Sequence, residues 1–315
     1  MSADLREAVR AGGLLARGDP VIALISGGRD STCLLDVAVG ICGPGAVTAL
    51  HVNYGLRDAA DEDEAHCRRL CQALGAELEV RRPRRPERGN LQAWARDARY
   101  GAAAQLAVSR GADVAAGHTA TDQVETILYR LASSPSRRAL LGMRPREGSL
   151  IRPLLEFTRA QTAAHCTARG LAWREDASNG SPAFARGRIR AGLVPALREM
   201  HPAAEANVLA LAEILRDEAA VLEAMVDDVL EAGRQVELQR LRALPVALAR
   251  LVVQRLADDA HGAPAPGTAR RVGELFALGD EAALDLPHGV RAVVHRGVLR
   301  FEPQPPKPAG HGARS

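Results

Sequence analysis

The chain has 315 residues, 47% hydrophobic and 25% charged, with a formal net charge of +3. That length and balance suit a globular protein of two domains whose core needs no disulfide or metal staple. No run of about 18 apolar residues occurs, which excludes a helical membrane span. The five cysteines, Cys33, Cys42, Cys67, Cys71 and Cys166, are odd in number, lack framework spacing and contain no C-x-x-C, which argues against a disulfide scaffold. The N-terminus is charged and has no signal-peptide core, so a cytoplasmic location without membrane contact is expected. Lys307 is the sole lysine, and the positive charge is otherwise arginine, the residue suited to bidentate phosphate contacts.

Helical spacing over 3–16 predicts a lead-in helix. Five apolar residues at 21–25 then run into the polar turn Ser26-Gly27-Gly28-Arg29-Asp30-Ser31 and an apolar helical stretch over 31–42, closed by Gly43-Pro44-Gly45. This reads as strand, tight loop, helix. A second strand over 47–52, an acidic-fronted helix over 58–74 and a short strand over 77–80 follow. The Arg/Pro segment 81–89 is a loop, and Asn90 is a plausible N-cap for a helix over 90–109. A strand over 113–116 leads to a helix starting near Thr121. Residues 133–149 read as a connection, 150–155 as extended, 158–169 as helix, 173–183 as a polar loop, and 184 onward as an arginine-rich helix. Beyond 200 the pattern becomes a long Ala/Leu/Glu helix over 203–232, shorter helices over 238–243, 245–259 and 267–277, and strands over 284–286 and 291–301 with a turn at Gly297. Residues 303–315 are Pro/Gly-rich and expected to be disordered. The predicted fold is α/β: a doubly wound, mainly parallel sheet in a domain over 1–200, then a smaller, mostly helical domain over 201–302 ending in a short β-hairpin.

In such a sheet, ligands bind beyond the carboxyl ends of the strands. The polar segments 26–31, 51–57 and 117–125 all fall at that edge. The two glycines soften the first loop, and its N–H groups together with the following helix N-terminus converge on one point that attracts an anion such as phosphate. Ser26 and Ser31 add hydroxyl donors. Asp30 is a carboxylate where a phosphate would sit, which makes sense if a divalent cation bridges them. Neither the Walker pattern nor the dinucleotide fingerprint is present. Asp122 and Glu125 lie three apart on one helical face and repel unless a cation sits between them. His118 is a candidate acid/base or phosphate donor, ranked below the carboxylates. Arg96 and Arg99 share a helical face. Arg186, Arg188 and Arg190 alternate and spread over about 200° of a helix, so they do not all point one way. Taken singly, each cluster also fits an ordinary solvated face.

The loop Ser26–Ser31 resembles the S-G-G-x-D-S loop of the PP-loop ATP pyrophosphatases. With His51 to Arg57, Asn90 to Tyr100, Gly117-His118-Thr119-Ala120-Thr121-Asp122-Gln123-Val124-Glu125-Thr126, Arg152-Pro153-Leu154-Leu155, Arg174 to Asn179 and Arg186 to Arg190, the first 200 or so residues resemble the tRNA(Ile)-lysidine synthases, in that family's order. The resemblance implies an enzyme that uses ATP and Mg2+ to adenylate C2 of the wobble cytidine of an isoleucine tRNA with a CAU anticodon. Free L-lysine then displaces AMP. It also implies site roles: Ser26, Gly27, Gly28, Arg29, Asp30, Ser31, His51, Asn53, Gly117 and His118 on ATP, Asp30 on Mg2+, Asp122 and Glu125 on the lysine ammonium groups, and Arg96, Arg99, Arg186 and Arg190 on substrate or ATP. Asp30, Asp122 and Glu125 are the expected catalytic set, and a homodimer is one assembly open to the chain. Tyr54, Thr121 and Gly187 depart from the family's usual His, Asp and Asn, and residues 131–138 lack its usual R-G-[ST]-G.

Overall fold

Strands β1 (Val21–Ile25) and β2 (Val47–Val52) are buried at every position. A parallel sheet covered on both faces demands this, and it explains why neither run alternates with polar residues. Within β1 the side chains still divide by the period of two. Val21, Ala23 and Ile25 enter one core with Leu34, Leu35 and Val37, while Ile22 and Leu24 enter another with Leu50, Ala103 and Leu106. The computed structural model describes residues 4–56, 59–134, 136–174, 185–231 and 233–305. Its packing divides the chain into two units, 1–132 with 141–210, and 133–140 with 211–315.

The first unit carries α1 (Leu5–Ala11), α2 (Arg29–Cys42), α3 (Ala60–Leu74), β3 (Glu77–Arg81), α4 (Leu91–Arg110), β4 (Asp113–Ala115), α5 (Ala120–Ser133), β5 (Arg146–Glu147), β6 (Leu150–Ile151) and α6 (Arg159–Ala168). Next come α7 (Ala185–Arg188), a π-helical segment (Ile189–Leu193) and α8 (Val194–Met200). The sheet order is β3-β2-β1-β4-β6-β5, parallel except for the β5–β6 pair. The chain reverses its direction of winding between β1 and β4, the switch point where a crevice opens. Two features differ from the expected layout. α2 begins at Arg29, so the loop is tighter than its polar length suggests. The expected 133–149 connection contains a two-residue hairpin at Gly148 (φ +59°) that extends the sheet by β5 and β6.

The second unit holds most of α9 (Ala204–Leu230), then β7 (Gln235–Glu237), α10 (Leu238–Ala243), α11 (Val246–His261), α12 (Val272–Phe276), β8 (Glu281–Leu286), β9 (Val290–His295) and β10 (Val298–Pro303). The expected terminal hairpin is part of a four-stranded antiparallel sheet, β7-β10-β9-β8. β7 escaped notice because three residues with one buried side chain, Val236, carry no periodic signal. Leu248, Ala249, Val252, Val253 and Leu256 of α11 are buried at helical spacing in this unit's core with Leu241 and Leu299. Residues 133–140 belong here too, tied by Arg138 to Asp258 at 2.5 Å. Among the described residues no helix is long and apolar enough to cross a membrane. The tail expected at 303–315 lies outside the described residues from 306 onward.

Candidate active site

A cavity of about 750 Å³ opens at the carboxyl ends of β1 and β4 in the first unit. The loop between β1 and α2 lines it through Ser26 and Gly28. Gly27 takes φ +78°, a left-handed conformation, and a Cβ there would lie 3.1 Å from the His66 ring. Gly28 is extended (φ −76°, ψ 161°) and forms the N-cap of α2 without any side-chain cap. Among the described residues the first N–H groups of a 14-residue helix therefore have no capping side chain, and they sit at the cavity wall with Arg29, Asp30 and Ser31. The loop is braced from within: Ser31 Oγ donates to Gly28 O at 2.8 Å and accepts from Ser26 N at 3.2 Å. Gly28 N donates to Ser26 Oγ at 3.4 Å.

Gly117 closes the second side. A Cβ on Gly117 would come within 3.0 Å of the Asp30 carbonyl oxygen, so the β4–α5 turn approaches the first turn of α2 backbone to backbone. His118 beside it lines the cavity, with a buried Nδ1 that has no hydrogen-bond partner among the described residues. Burial pushes His118 down to about 4 against the opposing pull of Asp122, and Arg152, Arg99 and Arg186 add to the depression. The imidazole is neutral at neutral pH.

Three carboxylates converge beside these loops, each met by guanidinium. Asp122 caps α5, its Oδ2 accepting from Thr119 N at 2.9 Å and Thr119 Oγ1 at 2.8 Å. Its Oδ1 accepts from Arg159 Nη2 at 2.5 Å. Glu125, 2% exposed, accepts from Arg159 Nη1 at 3.1 Å, Arg190 Nε at 2.7 Å and Arg190 Nη2 at 2.9 Å. Asp30 accepts from Arg29 Nε at 3.0 Å and Thr162 Oγ1 at 2.5 Å, and its Oδ2 lies 3.6 Å from Arg159 Nε. Burial works to raise the Asp122 carboxyl, but Arg159, the Thr119 amide and hydroxyl and His118 bring it below the usual carboxylate range. Glu125 holds Arg190 above its ordinary value against the effect of burial.

Tyr54, Arg99 and Tyr100 also line the cavity. The Arg96 and Arg99 guanidinium carbons lie 4.9 and 5.1 Å from the Tyr100 ring centroid. Arg99 and Arg186 have no carboxylate partner among the described residues. Arg186, Gly187 and Arg190 reach the cavity from α7 and the π-helical segment that follows it, so two of the three alternating arginines face it.

The structure thus brings Ser26, Gly28, Arg29, Asp30, Ser31, Arg99, Gly117, His118, Asp122, Arg186 and Arg190 to one cavity. Gly27, His51, Asn53, Arg96 and Glu125 do not line it. His51 is buried with Nδ1 3.1 Å from Ile25 O, and Asn53 uses its amide to hold the start of α3 through Asp61 and Glu64 at 2.9 and 3.0 Å. The sequence motif continuing from Arg174 through Asn179 lies outside the described residues from 175 to 184, as does Arg57. Arg159 and Thr162 were missed by sequence reasoning. Their one local signal is a cation at the first position of a helix capped by the Thr158/Gln161 box, a place the helix dipole disfavours for positive charge.

The profile of the PP-loop domain family matches residues 9–197. The chain is 36% identical to the tRNA(Ile)-lysidine synthase of Symbiobacterium thermophilum, over 99% of this chain and 70% of that one. It is 35% identical to the enzyme of the same name from Thermus thermophilus, over 93% of this chain but 59% of the relative, so it spans less than two thirds of that relative's length. In fold, the U34-tRNA thiolase NcsA from Methanococcus maripaludis, a structure with a [4Fe-4S] cluster, aligns with a TM-score of 0.56 at 15% identity, covering 67% of this chain and 78% of that one. On the loop, the order of its motifs and these identities, the chain belongs to the PP-loop family and, within it, to the tRNA(Ile)-lysidine synthases.

Proposed function

We propose that the chain is an ATP-dependent tRNA-modifying ligase that joins free L-lysine to C2 of the wobble cytidine of an isoleucine tRNA. The observation that carries this reading is that one cavity is lined by a helix N-terminus suited to phosphate and by Asp122, a carboxylate suited to an ammonium group, with Glu125 joined to it through Arg159. The loop Ser26–Ser31 and the α2 N–H groups bind the β,γ-phosphates and stabilise pyrophosphate as it leaves. The cytidine O2 attacks the α-phosphorus, breaking the bond to pyrophosphate. The lysine amine then adds at C2, and AMP departs with that oxygen as the amine's protons are lost. Arg99 and Arg186, without carboxylate partners among the described residues, suit the charge on the transferring phosphate or a tRNA phosphodiester. Asp122 and Glu125 hold the lysine's positive end.

No cluster of three potential metal ligands occurs among the described residues. Mg2+ is usually held by one or two carboxylates and the substrate phosphates. Asp30, at the loop, is the carboxylate that would hold it, and the ion would supply charge neutralisation at the departing pyrophosphate.

The deciding experiment incubates the chain with ATP, Mg2+, lysine and a tRNA bearing a CAU anticodon. Lysine-dependent AMP release with lysine incorporated into the tRNA is expected. AMP release indifferent to lysine, or none, would overturn the reading. A sulfur-transfer reading has no support in the site, because all five cysteines are buried, and burial raises Cys42, Cys67 and Cys71 to about 11, 12 and 11.

A further inference from the structure

Among the described residues, Asp30, Asp122 and Glu125 face three cations, Arg29, Arg159 and Arg190, so each negative charge of the acid set has a positive partner there. An ammonium ligand arriving at this network meets a neutral, hydrogen-bonded site. It gains a full partner only if a resident guanidinium leaves, charge for charge. Of the three, Arg159 alone lies within 4 Å of all three carboxylates, at 3.6 Å from Asp30, 2.5 Å from Asp122 and 3.1 Å from Glu125. It lines the cavity, as do Asp30 and the uncapped start of α2. A polyphosphate seated there places charged oxygens beside one of Arg159's own partners. Phosphate competes well for a guanidinium because it accepts two parallel hydrogen bonds.

We propose that Arg159 holds the acid set closed to the amine substrate until nucleotide phosphates in the neighbouring loop draw it away, so that ATP binding opens the lysine site. This rests on the ATP-and-lysine reading above. Arg159 is a positioning residue: it exchanges the Asp122 and Glu125 carboxylates for phosphate oxygens, and the freed carboxylates accept the ammonium. Lysine and nucleotide then bind with positive coupling. Linkage requires each to strengthen the other by the same factor.

The test is equilibrium binding of lysine to the whole chain, with and without α,β-methylene ATP and Mg2+. Lysine is expected to bind about 10-fold or more tightly with the analogue present, within the usual range of such couplings. In Arg159→Gln the coupling falls to about 1, and lysine alone binds more tightly than to the wild type. Arg159→Lys, which keeps the cation, retains coupling above about 3-fold and decides the matter if Arg159→Gln does not fold. Equal lysine affinity with and without the analogue in the wild type overturns the proposal and leaves the ATP-dependent reading standing. Unchanged coupling in folded Arg159→Gln, or none in folded Arg159→Lys, does the same. A wild-type chain that binds neither analogue nor lysine removes both.

Discussion

The Thr162 hydroxyl, buried on α6, donates to Asp30 Oδ1 on the first turn of α2 at 2.5 Å. Through this bond a helix more than a hundred residues downstream fixes the carboxylate that follows the β1–α2 loop. The same hydroxyl lies 3.0 Å from Arg159 O, so the first turn of α6 delivers both the donor that orients Asp30 and the cation that spans the acid set. Replacing Thr162 by Val keeps the shape and removes the donor. The expected cost is about 1–2 kcal/mol of stability, the size of a lost buried hydrogen bond. ATP-dependent turnover should fall more than the melting temperature alone accounts for. Thermal unfolding and AMP release measured on the same preparation check this, and an unchanged turnover would separate Thr162 from the chemistry.

Gly117 makes a sharper prediction. Its neighbours are backbone atoms, with the Asp30 carbonyl oxygen 3.0 Å and the Ser31 nitrogen 3.3 Å from a Cβ built there. Backbone does not swing aside as a side chain does, so Gly117→Ala pushes the β4–α5 turn away from the start of α2. The strain is of the order of 1–3 kcal/mol. It falls on the N–H groups proposed above to bind phosphate, so KM for ATP should rise by about 10-fold while the fold persists. Kinetics against varied ATP give the answer, and an unaltered KM would show that the approach is incidental.

Where the sequence was legible, the signal was local. Five apolar residues before Ser26-Gly27-Gly28 specify strand, loop and helix, and the three-residue spacing of Asp122 and Glu125 places both on one face of α5. The partners of those acids were not legible. Arg159 lies 34 residues from Glu125 and Arg190 lies 65, and only the packing of α6 and the π-helical segment brings them in. His51 and Asn53 show the converse limit. A polar residue at a strand's carboxyl end reads as a ligand contact, yet both turn inward, His51 to a β1 carbonyl and Asn53 to the acidic start of α3. In the Arg/Pro segment that begins at the end of β3, Arg81 and Arg82 pair with Glu79 and Glu64.

Glu125 is the most buried of the three acids and the most heavily hydrogen-bonded to guanidinium. Glu125→Gln keeps the volume but removes the charge that compensates Arg159 and Arg190. Because those arginines remain 20% and 31% exposed, water offsets part of the loss. The expected destabilisation is about 1–3 kcal/mol, short of a fully buried broken pair. Lysine-dependent turnover should fall by at least about 100-fold, the scale of a lost charge contact at a reacting site. Denaturant melts together with lysine-dependent AMP release check both parts. A Gln variant of wild-type activity would contradict the assignment of Glu125 to the amine site.

His118 links the site to pH. Its folded value of about 4 lies below the ordinary histidine range because burial disfavours the imidazolium. The unfolded chain therefore takes up a proton at His118 as pH falls below about 6.5, whereas the folded chain does so only near 4. The stability that His118 confers is complete at neutral pH and above, declines between these values, and is gone below the lower one. Asp122 acts in a lower window: its depressed carboxyl supports the fold above the ordinary aspartate range, and that support is lost as pH falls through its folded value. His51 and His66, also lowered by burial, add to the loss below neutral pH, so the wild-type profile alone does not isolate His118. The comparison with His118→Asn does. Between pH 7 and 4.5 the wild type should lose on the order of 2 kcal/mol more stability than the variant, read from urea unfolding at each pH. Parallel losses in the two proteins would show that His118 is protonated in the folded chain as easily as in the unfolded one, and would remove the neutral imidazole from the cavity's electrostatics.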